Sequence, residues 1–348
     1  MAGPRIAVVG AGAWGTTLAK VISRVEPVTL FCHSEATAAE IRASGRNERR
    51  LPGVDLPRAV VATADPVALR DAADLVVFAA PSAHLRTMTM AVAPYLADSV
   101  DILSVVKGLE RGTLLRMSEV VAEASGIAPA RIAALSGPNL AAEVARNLPA
   151  SAVVAASDLA LAERVVARMA RRRFRLYVNQ DILGVELAGA LKNVVAIAAG
   201  AADGLGFGDN GKAGLLTRGL AEMMRLGIAA GANPLTFAGL AGMGDLIATC
   251  GSSLSRNHRL GEELAKGRTW AEIEADLPGT AEGAYTVQAA LALADRLAVE
   301  MPIAREVHRA LFEGKSVQRC LVDLLARESK DELSDASAWL AQARRDGA

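Results

Sequence analysis

The sequence contains little of what marks a secreted, membrane or nucleic-acid-binding protein. Aromatic residues make up only 3% of its 348 residues, so a hydrophobic core must be built mainly from Ala, Val, Leu and Ile. The three cysteines, Cys32, Cys250 and Cys320, are too few and too scattered for a disulfide framework or a zinc cluster, which indicates a reducing compartment. Lys plus Arg (38) balance Asp plus Glu (38), so no overall field attracts nucleic acid or an anionic membrane.

The sequence also shows no pattern of a signal peptide, of a transmembrane helix or of a metal site. Residues 1–10 lead straight into a strand pattern, and no run approaches the 18 apolar residues expected of a transmembrane helix. The four histidines show no i, i+4 pair accompanied by a carboxylate ligand, so no metal site is predicted, and His258 is expected at the surface. We therefore expect a soluble cytoplasmic protein without membrane insertion or a nucleic-acid partner.

What the sequence does contain is a change of pattern near residue 180. Before it, short β-branched runs alternate with amphipathic helical stretches, which predicts a doubly wound, mainly parallel sheet covered by helices. The strand-like runs are residues 6–10, 28–32, 75–80, 101–106, 132–135, 152–156 and 175–178. After it, long Ala/Leu/Gly-rich patterns predict an all-α region. Since 348 residues suit two domains, we place them at 1–180 and 181–348.

A glycine-rich motif directly follows the first strand. Gly10, Gly12 and Gly15 form G-x-G-x-x-G and open a helical stretch that is expected from Thr16. The first glycine permits a tight turn, the second lets backbone approach a pyrophosphate, and the third lets helix and strand pack closely. Strand before and helix after make this a dinucleotide-binding signal, and not only a structural turn.

The second strand leaves the choice between NAD and NADP open. Glu35 lies 20 residues past Gly15 and could bind a ribose 2′-hydroxyl. His33 and Ser34 could instead tolerate a 2′-phosphate, with arginines at 46, 49 and 50 a little further on.

One lysine stands in the middle of an apolar helical pattern at residues 181–200. At helical spacing the neighbours of Lys192 are Ala188, Gly189, Val195 and Ala196, all small or apolar. Burial there would lower the pKa of the lysine and let it exchange a proton near neutral pH. The alternative is a lysine whose stem lies along the surface while its ammonium reaches water.

Polar residues follow this lysine at three places. Asn193 can both donate to and accept from a substrate oxygen. Asp245 closes a glycine-rich turn, where it is either catalytic or a helix N-cap. Ser255, Arg256 and Asn257 precede a helical pattern and could bind a phosphate, although a solvated helix start explains them equally well.

The ends of two strands in the first half also carry polar groups. Lys107 follows the run 101–106, and the segment SGPN at 136–139 follows the run 132–135. In open α/β sheets the carboxyl edge of the strands faces the ligand crevice. Together with the glycine motif, these segments place three strand ends at one crevice.

The combination of motifs resembles one family, the NAD(P)-dependent glycerol-3-phosphate dehydrogenases of bacteria and eukaryotes. The segments GAGAWGT, VKGLE, LSGPN, ELAGALKNV, DGLGFGDN, TRGLAEM, LAGMGDL, SRNHRLG and AEGAYT occur in the family's order, from Ile6 to about Leu325. The resemblance implies a Rossmann-type doubly wound N-terminal domain and an all-α C-terminal domain. It also implies hydride transfer between NAD or NADP and C2 of glycerol 3-phosphate or dihydroxyacetone phosphate, which would supply glycerol 3-phosphate for phospholipid synthesis. The apolar character of the helical region is compatible with a homodimer.

The resemblance also implies roles for individual residues. Lys192 resembles the general acid/base, Asp245 its electrostatic partner, and Lys107 a second lysine reaching substrate and cofactor, with Asn193 beside the catalytic lysine. The implied substrate-binding set is Lys107, Gly137, Asn139, Lys192, Asp245, Ser255, Arg256 and Asn257. The implied cofactor-binding set is Gly10, Gly12, Ala13, Trp14, Gly15, His33, Ser34, Lys107, Ala141, Arg256, Thr280 and Glu282. Two positions depart from the family: Asn139 stands where Ser or Thr is common, and Ser34 where Arg is often found.

Two other functions fit part of this pattern. A β-hydroxyacid or sugar-acid dehydrogenase also joins a dinucleotide-binding domain to a helical domain, but it would need a carboxylate-binding arrangement in place of Arg256 and Asn257. A non-catalytic dinucleotide sensor would lack catalytic groups, whereas Lys107, Lys192 and Asp245 are all present.

Overall fold

The computed structural model of the chain describes residues 5–71, 74–277 and 279–328. The chain divides into two compact units, the first ending at Gly189 and the second beginning at Ala190. This division falls inside a long helix. The boundary expected at residues 180 and 181 stays a prediction.

An eight-stranded sheet forms the centre of the first unit, with the strand order β3-β2-β1-β4-β5-β6-β7-β8. The strands are β1 Ile6–Val9, β2 Val28–Phe31, β3 Val60–Thr63, β4 Leu75–Phe78, β5 Asp101–Ser104, β6 Ile132–Ser136, β7 Ala150–Ala155 and β8 Phe174–Asn179. Every neighbouring pair is parallel except β6 and β7, which are antiparallel. The expected doubly wound, mainly parallel sheet is confirmed.

The inner strands are apolar on both faces because both faces are covered. Ile6 and Val8 of β1 pack into one hydrophobic cluster, while Ala7 and Val9 pack into the other. Small and branched aliphatic side chains fill both clusters, as the scarcity of aromatic residues requires. The sequence patterns missed β3. This strand lies at the sheet edge and is partly exposed, although its sequence, VVAT, is mostly apolar.

Six α-helices connect these strands: α1 Ala13–Ile22, α2 Glu35–Ser44, α3 Leu85–Val92, α4 Met117–Ser125, α5 Ala141–Ala145 and α6 Leu159–Met169. Helix α1 begins at Ala13, earlier than the expected Thr16, because Gly12 is its N-cap. Strands β1 and β4 are neighbours, yet the chain runs from β1 to β2 and β3 before it returns to β4. Their carboxyl ends therefore mark a topological switch point, where open α/β sheets bind ligands.

The second unit is helical, as expected. Helix α7 Ile182–Gly204 enters it and is followed by α8 Gly208–Ala229, α9 Pro234–Ala238, a π-helical turn at Leu240–Gly244, α10 Asp245–Gly251, α11 Arg256–Ala265, α12 Trp270–Asp276, α13 Glu282–Arg296, α14 Pro302–Phe312 and α15 Val317–Leu325. Helix α7 is long and apolar enough to cross a membrane, but 83% of its most apolar window is buried inside the protein. That burial is typical of a core helix.

Candidate active site

The glycine motif forms a tight loop between β1 and α1. Gly10 has φ +114°, and a Cβ there would lie 2.9 Å from the carbonyl carbon and oxygen of Ala79. A Cβ on Gly15 would lie 1.9 Å from the Gly10 oxygen. A Cβ on Gly12, in contrast, would have no heavy atom of the described residues within 4 Å. The outer two glycines therefore serve the loop itself, while Gly12 faces open space.

The loop ends in a helix N-terminus that suits an anion. Gly12 caps α1 without a side-chain hydrogen bond, and the first turn of α1 contains no acidic residue. The N–H groups of Ala13 and Trp14 belong to this turn, where the helix dipole favours negative charge. Trp14 packs its ring edge-on against Phe174 at 6.1 Å, so its backbone is the part suited to a phosphate. The open face at Gly12 and the uncapped turn together fit the pyrophosphate of a dinucleotide.

The residues after β2 are already engaged within the first unit. Ser34 is the N-cap of α2 and accepts a hydrogen bond from the Thr37 N–H at 3.4 Å, and Glu35 forms an ion pair with Arg42. Arg46 pairs with Asp55 at 2.6 Å. His33 is exposed. Because the ion pairs are solvent-exposed and weak, they leave the choice between NAD and NADP open.

A second polar group lies where β5 and β6 end. The Lys107 Nζ donates to the Gly137 carbonyl oxygen at 3.1 Å. Gly137 has φ +135°, and a Cβ there would lie 2.9 Å from the Ala152 Cα. Both polar atoms of the Asn139 side chain, and the Ser136 hydroxyl, are buried without a hydrogen-bond partner among the described residues. Buried polar atoms without partners are uncommon, and these could be satisfied by polar groups of a ligand.

Ala141 connects this region to the helix of the glycine motif. It is the first residue of α5, and its carbonyl oxygen accepts a hydrogen bond from the Thr17 hydroxyl of α1 at 3.2 Å. Its part in cofactor binding stays a prediction.

In the second unit, Lys192 is buried and paired. Its side chain is 7% exposed, and its Nζ lies 3.1 Å from Asp245 Oδ1. The same Nζ donates to Thr249 Oγ1 at 2.6 Å, and that hydroxyl donates to Asp245 Oδ1 at 3.2 Å. The three groups form a closed triangle. Lys192 therefore does not extend along the surface to water, because a carboxylate and a hydroxyl meet its ammonium inside the protein.

Asp245 reaches this triangle from the start of α10. Gly244 is the N-cap and Asp245 is the first helical residue, so the N-cap interpretation of Asp245 is wrong. The π-helical turn before it is closely packed, since a Cβ on Gly242 would lie 2.0 Å from the Phe237 oxygen. Thr249 follows Asp245 by four residues, which places both side chains on one face of α10.

The side chain of Asn193 is engaged with that of Asn257. Asn257 Nδ2 donates to Asn193 Oδ1 at 2.9 Å, and Asn257 Oδ1 accepts from the Gly283 N–H at 2.9 Å. Ser255 is the N-cap of α11 and accepts from the His258 N–H at 3.2 Å. Since Ser255 and Asn257 are both buried, a solvated helix start does not describe them.

Three further predicted site residues lie near the starts of α11 and α13. Arg256 is the first residue of α11, and its guanidinium packs so closely on Gly279 that a Cβ there would lie 2.6 Å from Nη1. Thr280 follows that glycine, and Glu282 is the first residue of α13. The predicted residues of the second unit therefore lie at helix starts or on α7.

His258 differs from its expected exposure. It is buried, and its Nε2 lies 2.7 Å from Asp203 Oδ2, which also pairs with Lys212 at 2.5 Å. The backbone of His258 is also closely packed, since a Cβ on Gly200 would lie 1.8 Å from the His258 oxygen. His258 is thus a packed residue of the α7–α11 contact.

Family comparison decides between the remaining enzyme classes. The model of the NAD-dependent glycerol-3-phosphate dehydrogenase N-terminus matches residues 5–162, and that of the C-terminus matches residues 181–322. The chain belongs to the NAD-dependent glycerol-3-phosphate dehydrogenase family.

Individual relatives are similar to this chain over nearly its whole length. It is 50% identical to the glycerol-3-phosphate dehydrogenase [NAD(P)+] of Parafrankia sp. over 330 residues, which cover 94% of this chain and 98% of the relative. The enzyme of the same name from Streptomyces coelicolor is 45% identical, with 94% and 98% covered. The crystal structure of glycerol-3-phosphate dehydrogenase from Coxiella burnetii has a TM-score of 0.88 and 39% identity, with 93% of this chain and 99% of that chain covered.

The comparisons confirm the expected family, fold class, enzyme class and NAD(P) cofactor. The roles of individual site residues stay predictions. The sequence analysis missed Thr249 as a partner of Lys192. Its spacing of four residues from Asp245 in a helical pattern is a signal that could have found it.

Proposed function

We propose that this chain interconverts sn-glycerol 3-phosphate and dihydroxyacetone phosphate with NAD or NADP. The observation that carries the proposal is the buried triangle of Lys192, Asp245 and Thr249. A lysine ammonium removed from water and held by two partners has a defined position, which a general acid needs.

In the direction of reduction, Lys192 donates a proton to the C2 oxygen of dihydroxyacetone phosphate as C2 gains a hydride. In oxidation, the neutral amine takes the hydroxyl proton from glycerol 3-phosphate. Asp245 favours the ammonium form of Lys192 through its negative charge, and Thr249 orients the Nζ by a hydrogen bond. The nicotinamide, when bound, supplies or accepts the hydride. One proton and one hydride thus enter the carbonyl in each reductive turnover.

We assign dinucleotide binding to the glycine loop. The α1 N-terminus, with Gly12, Ala13 and Trp14, would hold the pyrophosphate through backbone N–H groups. Lys107, Gly137 and Asn139 supply polar groups for substrate, since the Asn139 amide has no partner among the described residues.

We assign the substrate phosphate to the start of α11. Ser255 caps this helix, Arg256 contributes a guanidinium, and the helix N-terminus favours an anion. The Asn257 amide is committed to Asn193 and to the Gly283 N–H, so its part is to hold Asn193 in place.

We also propose that the enzyme is a cytoplasmic homodimer without membrane insertion that supplies glycerol 3-phosphate for phospholipid synthesis. The second unit exposes Leu235 (70%), Ile247 (58%) and Leu254 (54%), which are apolar side chains of the kind that a subunit contact would bury. Light scattering after size-exclusion chromatography should give twice the chain mass, and cell fractionation should recover the activity in the soluble fraction.

The activity is tested by assaying the reduction of dihydroxyacetone phosphate against 3-oxoacids, with NADH and NADPH separately. We expect turnover with dihydroxyacetone phosphate and little with 3-oxoacids. Inactivity with dihydroxyacetone phosphate at every pH, with either cofactor, would reject the proposal. Preference for a 3-oxoacid would instead favour the β-hydroxyacid dehydrogenase alternative.

A further inference from the structure

Asn47 lies between α2 and β3, in a segment to which the sequence motifs assign no role. It is 1% exposed, although its type is usually found at the surface. Its backbone carbonyl accepts hydrogen bonds from the N–H groups of Arg50 at 3.1 Å and Leu51 at 2.8 Å. Leu51 is itself buried against Val54 and Ala145. The backbone of Asn47 is therefore held firmly.

The side chain of Asn47 reaches the glycine loop. Its Nδ2 donates to the Ala11 carbonyl oxygen at 2.9 Å and to Thr16 Oγ1 at 2.8 Å. Ala11 lies between the first two glycines of the motif, and Thr16 lies at the end of the first turn of α1. A carbonyl oxygen can only accept, so the nitrogen of the amide must face Ala11. One amide group therefore joins the two ends of the predicted phosphate-binding loop.

The other half of this amide is left without a partner. Asn47 Oδ1 is buried and has no hydrogen bond to any described residue. A buried acceptor without a donor costs free energy, so filling space does not account for an asparagine here. The two donated hydrogen bonds do account for it.

We propose that Asn47 is a positioning residue for dinucleotide binding, an inference that rests on the proposed function. Phosphate oxygens are bound by backbone N–H groups, and a carbonyl oxygen facing them would repel them. By binding the Ala11 oxygen to a buried amide, Asn47 keeps that oxygen turned into the protein. The bond to Thr16 fixes the first turn of α1 in the same arrangement. The loop is thus set in its anion-binding form before the cofactor arrives.

Two substitutions test this role. Asn47→Ala removes both donated hydrogen bonds, and Asn47→Asp keeps the shape but places a carboxylate oxygen against Ala11. We expect the Kd for NADH, measured by fluorescence without substrate, to rise about tenfold in Asn47→Ala, as the loss of two hydrogen bonds implies, and further in Asn47→Asp. The Kd for ADP-ribose should rise by the same factor, because it shares the pyrophosphate and lacks the nicotinamide.

Steady-state kinetics separate positioning from general damage. The KM for the cofactor should rise, while kcat at saturating cofactor and the KM for dihydroxyacetone phosphate should stay near the wild-type values. The matched control is Asn179→Ala, which also removes one asparagine side-chain bond in the first unit, from the Asp181 N–H, and should leave the NADH affinity unchanged.

Wild-type affinity for NADH in a folded Asn47 variant would overturn the inference. So would an equal fall in kcat and in affinity for both substrates. If Asn47→Ala does not fold, Asn47→Asp is judged by the same measurements, and loss of folding in both variants would assign Asn47 to stability and overturn the inference. A wild-type protein that binds neither NADH nor NADPH would instead contradict the proposed function.

Discussion

At the scale of single residues, the decisive feature is a lysine that is both buried and paired. The charge on Lys192 is balanced within the protein by Asp245, so neither group remains alone in a low-dielectric setting. The hydroxyl of Thr249 bridges the two and limits the directions in which the ammonium can point. Two neighbours on one helix therefore hold the Lys192 ammonium in position and balance its charge.

Replacing Lys192 tests the proton-transfer role. Lys192→Ala should still bind NADH, but its turnover should fall by roughly 100-fold or more, as expected for loss of a general acid. Lys192→Arg keeps a positive charge for Asp245 and should fold, yet a guanidinium holds its proton too tightly to exchange it, so it should be similarly slow. Circular dichroism and steady-state assays check both variants.

The control for this pair is Lys266→Ala. Lys266 is an exposed lysine of the second unit that pairs with Glu263, so its loss should leave turnover unchanged. Near-wild-type turnover of Lys192→Ala or Lys192→Arg would refute the role.

At the scale of elements, several helices of this protein begin without a side-chain cap of their own. Helix α1 leaves its first turn open at Gly12, where a phosphate is expected. Helix α4, in contrast, has a capping box, in which Glu119 accepts from the Arg116 N–H at 2.8 Å. Buried Glu186 adds a second carboxylate there, accepting from the Ser118 N–H at 2.8 Å, and burial raises the pKa of this carboxyl. Helix α14 is met by Glu222, which accepts from the N–H groups of Ile303 at 2.9 Å and Ala304 at 3.0 Å. An open helix start is thus met by a buried carboxylate at α14 and is predicted to meet a phosphate at α1.

The glycine loop offers a matched pair of substitutions. Gly12→Ala should fold, because its Cβ meets no described heavy atom within 4 Å and φ is −73°. The added methyl would occupy the space expected for the pyrophosphate, so NADH affinity should fall about tenfold or more. Gly15→Ala should instead lower the melting temperature, since its Cβ would lie 1.9 Å from the Gly10 oxygen. Unchanged NADH affinity in Gly12→Ala would contradict the assignment.

Glu222 should make the stability of the second unit depend on pH. Burial raises the pKa of this carboxyl from 4.5 to about 7, so the folded state holds the proton more tightly than the unfolded state. Its contribution is therefore fully present below about pH 4.5 and is lost as the pH rises through 7. The free energy of unfolding should fall by up to about 3 kcal/mol across this window.

Glu222→Gln, which cannot titrate, should remove that pH dependence whatever its effect on absolute stability. Urea unfolding of both proteins at several pH values between 5 and 8 measures the difference. Parallel pH profiles for wild type and variant would show that Glu222 does not titrate in this range.

At the scale of the whole molecule, the predicted site residues are divided between the two units. The first unit contains the glycine loop and the pair of Lys107 and Gly137, and the second unit contains Lys192 with its partners and the start of α11. Formal charges cancel over the chain, so the affinity for anionic ligands depends on helix N-termini and individual cations.

Cofactor binding should stabilise the whole chain by mass action. A dinucleotide present at 100 times its Kd adds about 2.7 kcal/mol if only the folded protein binds it. The melting temperature should therefore rise with NADH or NADPH, and the larger rise at equal concentration identifies the preferred cofactor. Nicotinamide mononucleotide, which lacks the pyrophosphate, is the control. No shift with either dinucleotide would contradict binding at the glycine loop.

The sequence by itself determined the order of elements and the chemistry available. Gly10, Gly12 and Gly15 predict a dinucleotide-binding loop, since a side chain on the outer two would clash within the loop and a bare Gly12 leaves room for a phosphate. The apolar runs predict the central strands because both faces of these strands are covered. The edge strand β3 was missed although its sequence, VVAT, is mostly apolar, because periodicity alone does not distinguish so short an apolar run from part of a helix. Only the tertiary structure decided the partners: Thr249 for Lys192, Asn257 for Asn193, Asp203 for His258 and Asn47 for the glycine loop. These contacts join residues that are far apart in the chain. The local sequence pattern does not show which distant side chains come together when the chain packs.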